Sequence, residues 1–362
     1  MSLQISELDL VRFRKALMKW NSSDNKRDLP WKGIGNPYYI WLSEVILQQT
    51  RVEQGLSYYL KFISAFPTIH DLASAKDEEV LKMWEGLGYY NRCRNLLATA
   101  RYIAFECKSE FPSTFEGLLA LKGIGPYTAA AIGSFAFNLP YAVVDGNVYR
   151  VLARYFGVDL PSDGTEGKKF FQDLANATLD AKKPAIYNQA IMDFGATVCK
   201  PQLPLCGVCA LQMSCKAFNE GRVDQLPVKQ KRVERKKRYF NYFVFKVGEE
   251  ILIHQRNEVD IWKDLFEFFL LETAQPIQWD ECTISEVLKR NLGISNFGLL
   301  SQPFKVRQHL THRTVESQFI HIRINKIPKA LAHLIPVHRN ELNKYAFPKT
   351  IQDYLTDFLK LA

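Results

Sequence analysis

Residues 227–238 read PVKQKRVERKKR, seven Lys or Arg against one Glu, and the hydrophobic period differs on the two sides of this stretch. Before it, from residue 5 to about 220, apolar residues recur at every third or fourth position, as in LDLVRFRKALMKW, EVLKMWEGLGYY and RCRNLLATARYIAFE. That is the spacing of helices with one buried face. After it the period shortens toward two. YFNYFVFKV, the turn GEE and ILIHQR read as a hairpin, SQFIHIRI reads as a later strand, and TISEVLKRNLG reads as a helix. A change of period across a solvated basic stretch predicts two cores rather than one: an all-α domain over 1–226, a linker over 227–238 and an α+β domain over 239–362. The chain of 362 residues also exceeds the roughly 250 to 300 at which a single core stops growing.

A net charge of +9 and a pI near 9.0 suit a polyanionic partner. No run of about 18 uncharged apolar residues occurs, and the first residues mix Glu7, Asp9, Arg12 and Lys15 among leucines rather than forming a signal peptide. The expectation is an intracellular protein, cytoplasmic or nucleoid-associated, with no membrane partner.

Four of the seven cysteines crowd into Cys199-x6-Cys206-x2-Cys209-x5-Cys215. Such density favours a metal site over a disulfide framework, and the spacing alone admits either zinc or an iron–sulfur cluster. In LLALKGIGPYTAAAIGSFAF, Gly123 and Gly125 sit between two apolar helices. They form a tight turn, or a turn whose N–H groups receive a phosphate. Asp145, in YAVVDGNVYR, stands where a helix N-cap belongs. Glu44, in WLSEVILQQT, is a lone carboxylate among Trp41, Leu42, Val45, Ile46 and Leu47. It is either an ion-paired structural acid or a group whose pKa burial raises for proton transfer.

Taken together, LPW, WLSEVILQQTRVE, GLGYYNRCRNL, GIGPYTAAAI, VVDGNVYRVLAR, NQAIMDFGATVC and the cysteine spacing resemble the MutY-type adenine DNA glycosylases of the helix-hairpin-helix superfamily. The resemblance runs through residues 20–215 and more weakly beyond. It implies a helical catalytic domain with a helix-hairpin-helix at 118–132, a [4Fe-4S] cluster on Cys199, Cys206, Cys209 and Cys215, and a Nudix-like lesion-recognition domain. By resemblance, Glu44 protonates the departing adenine and then helps activate water, Asp145 stays ionised beside the sugar cation, and Tyr127 and Asn147 orient the pair. Tyr127 stands where strand-nicking relatives carry a Schiff-base lysine, which implies a monofunctional enzyme. Trp31, Gln189 and Lys32, the last in place of the family's arginine, align with the adenine pocket. Gln49 and Tyr89 align with wedges that enter the base stack, and Gly123 and Gly125 with the phosphate-binding turn.

The second domain contains no Arg-Glu-x-x-Glu-Glu string, so it is expected to recognise rather than hydrolyse. Its HLTHR segment aligns with a loop that probes 8-oxoguanine: Leu310 replaces an aromatic residue, Thr311 replaces serine, and His312 matches. The implied partner is duplex DNA with adenine opposite 8-oxoguanine or guanine, bound by a monomer. Two alternatives remain at this point. A related thymine or uracil mismatch glycosylase would not call for a His-bearing loop in a Nudix-like domain, and a non-catalytic iron–sulfur DNA-binding protein would not require Glu44, Asp145 and Tyr127 together.

Overall fold

A computed structural model of the chain describes residues 5–230 and 235–361, so residues 231–234 of the expected linker, like 1–4 and 362, lie outside the described residues. Two compact units form, one from residues 1–74 and 94–231, the other from 75–93 and 232–362. Among the described residues no helix is long and apolar enough to cross a membrane.

The first unit is helical. Its helix Glu7–Ser23 starts at Ser6, whose hydroxyl accepts from the Asp9 amide, and sets Phe13, Leu17 and Trp20 into a core with Val151, Phe171 and Phe194. Helix Pro37–Leu47 opens on Asn36, whose side chain accepts from the Tyr38 amide, with proline in the first turn. Ile40 to Ile46 are all buried, as a helix apolar on every side must be. It packs against helix Pro126–Phe137, whose Ala129, Ala130 and Ala131 keep that surface low. The turn before Pro126–Phe137 needs glycine at 123, because φ is +78° and a Cβ there would stand 2.6 Å from the Asn95 Cβ. With Phe115–Leu119 on its other side, this turn and helix make a helix–turn–helix that overlaps residues 118–132. Helix Gly146–Phe156 follows, capped by Asp145.

The second unit is a mixed sheet between helices. Its strands are β1 Lys236–Val247, β2 Glu250–Gln255, β3 Phe266–Glu267, β4 Phe269–Thr273, β5 Gly298–Leu299, β6 Phe304–His309, β7 Arg313–Arg323 and β8 Ile335–His338. The expected hairpin is β1 turning through Gly248 into β2. β1 runs parallel to β7 from Lys236↔Arg313 to Lys246↔Arg323, and antiparallel to β4. Alternation along β1 then divides the core. Phe243 and Phe245 join Ile320, Ile322 and Trp279 under helix Glu281–Leu292. Tyr242 faces the other way, stacking on Phe319, which stacks in turn on Tyr354 of helix Lys349–Leu361 with centroids 4.0 Å apart.

Residues 75–93 depart from the sequence-based division, which left them with the helical domain. Lys82 Nζ donates to the Tyr345 carbonyl (2.9 Å), and a Glu85 carboxylate oxygen accepts from the Phe347 amide (2.9 Å). These bonds tie a helical segment to main chain more than 260 residues away, a connection that no local hydrophobic period encodes.

Candidate active site

Glu44 is carried on the buried helix Pro37–Leu47 and reaches a pocket of about 410 Å³, which Trp31, Lys32, Ser43, Phe135 and Gln189 also line. That volume falls within the usual range for a small-molecule site. Burial pushes the Glu44 carboxyl up to about 7; a hydrogen bond from Tyr127 opposes the shift and the neighbouring Asp145 charge adds to it. Tyr127, in the first turn of Pro126–Phe137, is itself raised well above the ordinary phenol value, first by burial and then by the two carboxylates. Glu44, Tyr127 and Asp145 are therefore brought together.

Asp145 does act as a helix cap. One carboxylate oxygen accepts from the Asn147 and Val148 amides (2.8 Å each), the other from Asn147 Nδ2 (2.7 Å). Burial raises its pKa, while these three donors and the Arg150 charge pull it back. The two carboxyls thus differ in surroundings: Asp145 has main-chain donors that favour the anion, and Glu44 lies within an apolar helix. Arg150 holds this arrangement from below, donating to Asn147 Oδ1 (2.8 Å), the Gly195 carbonyl (2.7 Å) and the Cys199 carbonyl (2.7 Å).

The polar wall of the pocket turns on a residue the motifs did not single out. Asp193, fully buried on helix Pro184–Thr197, accepts from Arg27 (2.9 Å), Lys32 Nζ (3.0 Å), Asn25 Nδ2 (2.9 Å) and Gln189 Nε2 (2.9 Å). Lys32 also donates to the Arg27 carbonyl (2.9 Å). Its ammonium is thus engaged with protein groups although its side chain lines the pocket. The signal was present in NQAIMDFG, where an acid sits in an apolar helix four residues after the pocket glutamine, on the same face.

Cys199, Cys206, Cys209 and Cys215 are free thiols lining one cavity together with Arg154. Burial pushes Cys209 up to about 11 and raises Cys206 and Cys215 as well. Arg154 anchors the loop by donating to Cys199 Sγ (3.5 Å) and to the Lys200 carbonyl (2.7 Å). Among the described residues, no three His, Cys, Asp or Glu side chains close around one point as a single metal ion requires.

The expected wedges share a backbone feature. Gln49 and Tyr89 have φ of 57° and 49°, a left-handed conformation unusual for a bulky residue and a mark of stored strain. Both are exposed. Gly123 and Gly125 lead into helix Pro126–Phe137, whose N-terminus no side chain caps. In the second unit, Leu310, Thr311 and His312 connect β6 to β7, with Thr311 and His312 exposed. Arg313 at the base of the connection pairs with Asp260 (2.8 Å), and the Thr311 and Tyr89 hydroxyls are hydrogen-bonded.

Residues 42–175 match the family described as HhH-GPD superfamily base excision DNA repair protein, and residues 241–357 match the NUDIX domain. Over 321 residues, 87% of this chain and 87% of the relative, the sequence is 33% identical to an adenine DNA glycosylase of Buchnera aphidicola subsp. Baizongia pistaciae. It is 42% identical to the adenine DNA glycosylase of Rattus norvegicus over 231 residues, 60% of this chain and 45% of that protein. A thermostable thymine-DNA glycosylase structure, 28% identical, superposes with a TM-score of 0.54 over 59% of this chain and 98% of its own. An endonuclease III structure, 20% identical, shares the helical fold with a TM-score of 0.51 over 60% of this chain and 99% of its own.

Proposed function

The chain belongs to the adenine DNA glycosylases of the HhH-GPD base excision repair superfamily, and on that footing we propose that it removes adenine mispaired with 8-oxoguanine or guanine by hydrolysing the N-glycosidic bond, leaving the strand intact. One observation carries the chemistry: Glu44, raised to about 7 by burial, borders the pocket and has Asp145 beside it. Near neutrality Glu44 holds a proton for a large share of the time. It gives that proton to the imidazole nitrogen of adenine as the C1′–N9 bond breaks and its electron pair leaves with the base. The Asp145 carboxylate, with its three N–H donors, faces the oxocarbenium ion. Glu44, now ionised, takes a proton from the water that attacks C1′. Tyr127 has no amine with which to form a Schiff base, in keeping with a monofunctional reaction.

The four thiols are read as ligands of a [4Fe-4S] cluster. They line one cavity, and four thiolates supplied by a short loop can each bind a separate iron of one polynuclear group. The bound cluster would fix the 199–215 loop and take no part in base release. Action as a monomer belongs to the same reading. Gln49 and Tyr89 are read as wedges that open the stack, Gly123 and Gly125 as donors to a phosphate, and the 310–312 connection as the 8-oxoguanine probe. The relative named adenine DNA glycosylase is 33% identical over 87% of this chain, which supports adenine as the base.

The test is single-turnover base release from duplexes holding adenine, thymine or uracil opposite 8-oxoguanine or guanine, followed by abasic-site cleavage. Adenine alone should be released, and Glu44→Gln should lose at least ~10²-fold while still binding duplex. The purified protein should carry about four irons per chain with acid-labile sulfide. Stoichiometric zinc, or a Glu44→Gln rate within a few-fold of wild type, would remove the corresponding assignment.

A further inference from the structure

We propose that Asp193 is a specificity-determining positioning residue, which fixes the amide of Gln189 so that the pocket presents a carbonyl oxygen to the base and thereby selects a 6-amino purine over a 6-oxo purine. The inference rests on the adenine reading above and asks how that reading is enforced.

A glutamine side chain is ambiguous by itself, since one end accepts hydrogen bonds, the other donates, and a half-turn exchanges them. Adenine carries an amine at C6, whereas hypoxanthine and guanine carry an oxygen there, so the orientation of one amide decides which purine the wall can pair with. Asp193 removes the ambiguity. Its side chain is fully buried and salt-bridged to both Arg27 (2.9 Å) and Lys32 (3.0 Å), and a carboxylate so placed only accepts. The Gln189 atom 2.9 Å from Asp193 Oδ1 must therefore be the donor, Nε2. Gln189 lines the pocket, and with Nε2 turned to Asp193 its Oε1 is the end left to meet the base. Turning the amide over would set its oxygen against the fully buried Asp193 carboxylate, two acceptors facing each other, which is unfavourable. Asn25, Arg27 and Lys32 fill the rest of the carboxylate's acceptor capacity, so Asp193 has no freedom to rotate away.

An amide at 193 can offer either a donor or an acceptor to Gln189, so Asp193→Asn should lift the rule while nearly preserving shape. Gln189→Met removes the amide and leaves Asp193 with its cations. Release of adenine, purine and hypoxanthine from otherwise identical duplexes is compared. Intrinsic base lability cancels when each variant's ratios are divided by those of wild type. Each variant should reduce the adenine-to-hypoxanthine ratio by about 10-fold, the worth of one net hydrogen bond. In the Gln189→Met background, Asp193→Asn should not change the ratio further, although it lowers thermal stability. A purely structural role for Asp193 would lower all three rates alike, and that result overturns the proposal. So does an unchanged ratio in Gln189→Met, which decides the matter if Asp193→Asn does not fold. If wild type releases no adenine, the functional reading fails. The inference is then judged by binding of duplexes with hydrolysis-resistant 2′-fluoro adenosine or inosine, where Gln189→Met should narrow the wild-type preference for the amine.

Discussion

At the residue scale, the role proposed for Glu44 would link stability and activity through one proton. Its pKa is about 7 in the folded chain, above its ordinary 4.5, so the native state binds more protons than the unfolded state between those limits. Whatever folding gains by enclosing the neutral acid is fully present below about 4.5 and is lost as pH rises toward 7. Above about 7 the ionised group is a constant penalty on the order of 3 kcal/mol. Glu44→Gln should therefore raise the melting temperature at pH 8 and change it little at pH 4.5, even as base release collapses. For wild type, kcat/KM should fall about tenfold per pH unit above 7, where the acid has lost its proton. Equal melting shifts at the two pH values would contradict the linkage. Glu44 was legible in the sequence because a charge amid apolar residues is conspicuous. Asp193 bears the same signature, but its importance depends on Arg27 and Lys32 meeting it across the fold. That meeting also explains why Lys32, legible as a pocket residue, could not be seen to have its ammonium engaged.

At the scale of elements, the crossing of helix Pro184–Thr197 over the start of helix Gly146–Phe156 sets the position of the second carboxylate. Gly195 is the point of closest approach: a Cβ there would lie 2.6 Å from the Asn147 Cβ and 3.0 Å from the Asn147 carbonyl oxygen. Backbone on one side leaves little room to adjust, so Gly195→Ala should destabilise by about 1 to 3 kcal/mol, the usual cost of overpacking. Asn147 donates to Asp145 and accepts from Arg150, so the displacement should also reach the chemistry. A fall of at least ~10-fold in single-turnover release is expected at a temperature where denaturant titration shows the variant fully folded, given the sensitivity of catalysis to small misplacements. Release within twofold of wild type would show that the helices separate without moving the carboxylate. The long helices and strands β1 and β7 were legible because each repeats its period several times. Strands β3 and β5 are two residues long, too short for any period, and exist because neighbouring strands supply their hydrogen bonds.

At the scale of the whole molecule, the described elements are helical before the basic stretch at 227–238 and strand-rich after it, while residues 75–93 group with the later unit. Residues 75–93 pack with the strand-rich unit through bonds to Tyr345 and Phe347 that sequence cannot anticipate. This arrangement puts the expected wedge Tyr89 and the expected probe Thr311 in one unit, joined hydroxyl to hydroxyl. Tyr89 is held there with a strained backbone and with the Arg92 guanidinium 5.4 Å from its ring centre. On the proposed reading, the base opposite the adenine would be met by groups of one unit, while the carboxylates proposed for catalysis belong to the other. The separation predicts that lesion reading can be weakened without disabling the chemistry. His312, exposed beside Thr311, makes the cleanest substitution because its ring does not take part in the Tyr89–Thr311 bond. His312→Ala should reduce the preference for adenine opposite 8-oxoguanine over adenine opposite guanine by about 1 to 3 kcal/mol, the worth of one base contact. The comparison must be made at one salt concentration, since phosphate contacts dominate raw affinity. Equal losses on the two duplexes would make the 310–312 connection a phosphate contact, and discrimination of the oxidised base would then have to come from Tyr89 or Gln49, where the same pair of duplexes can test it.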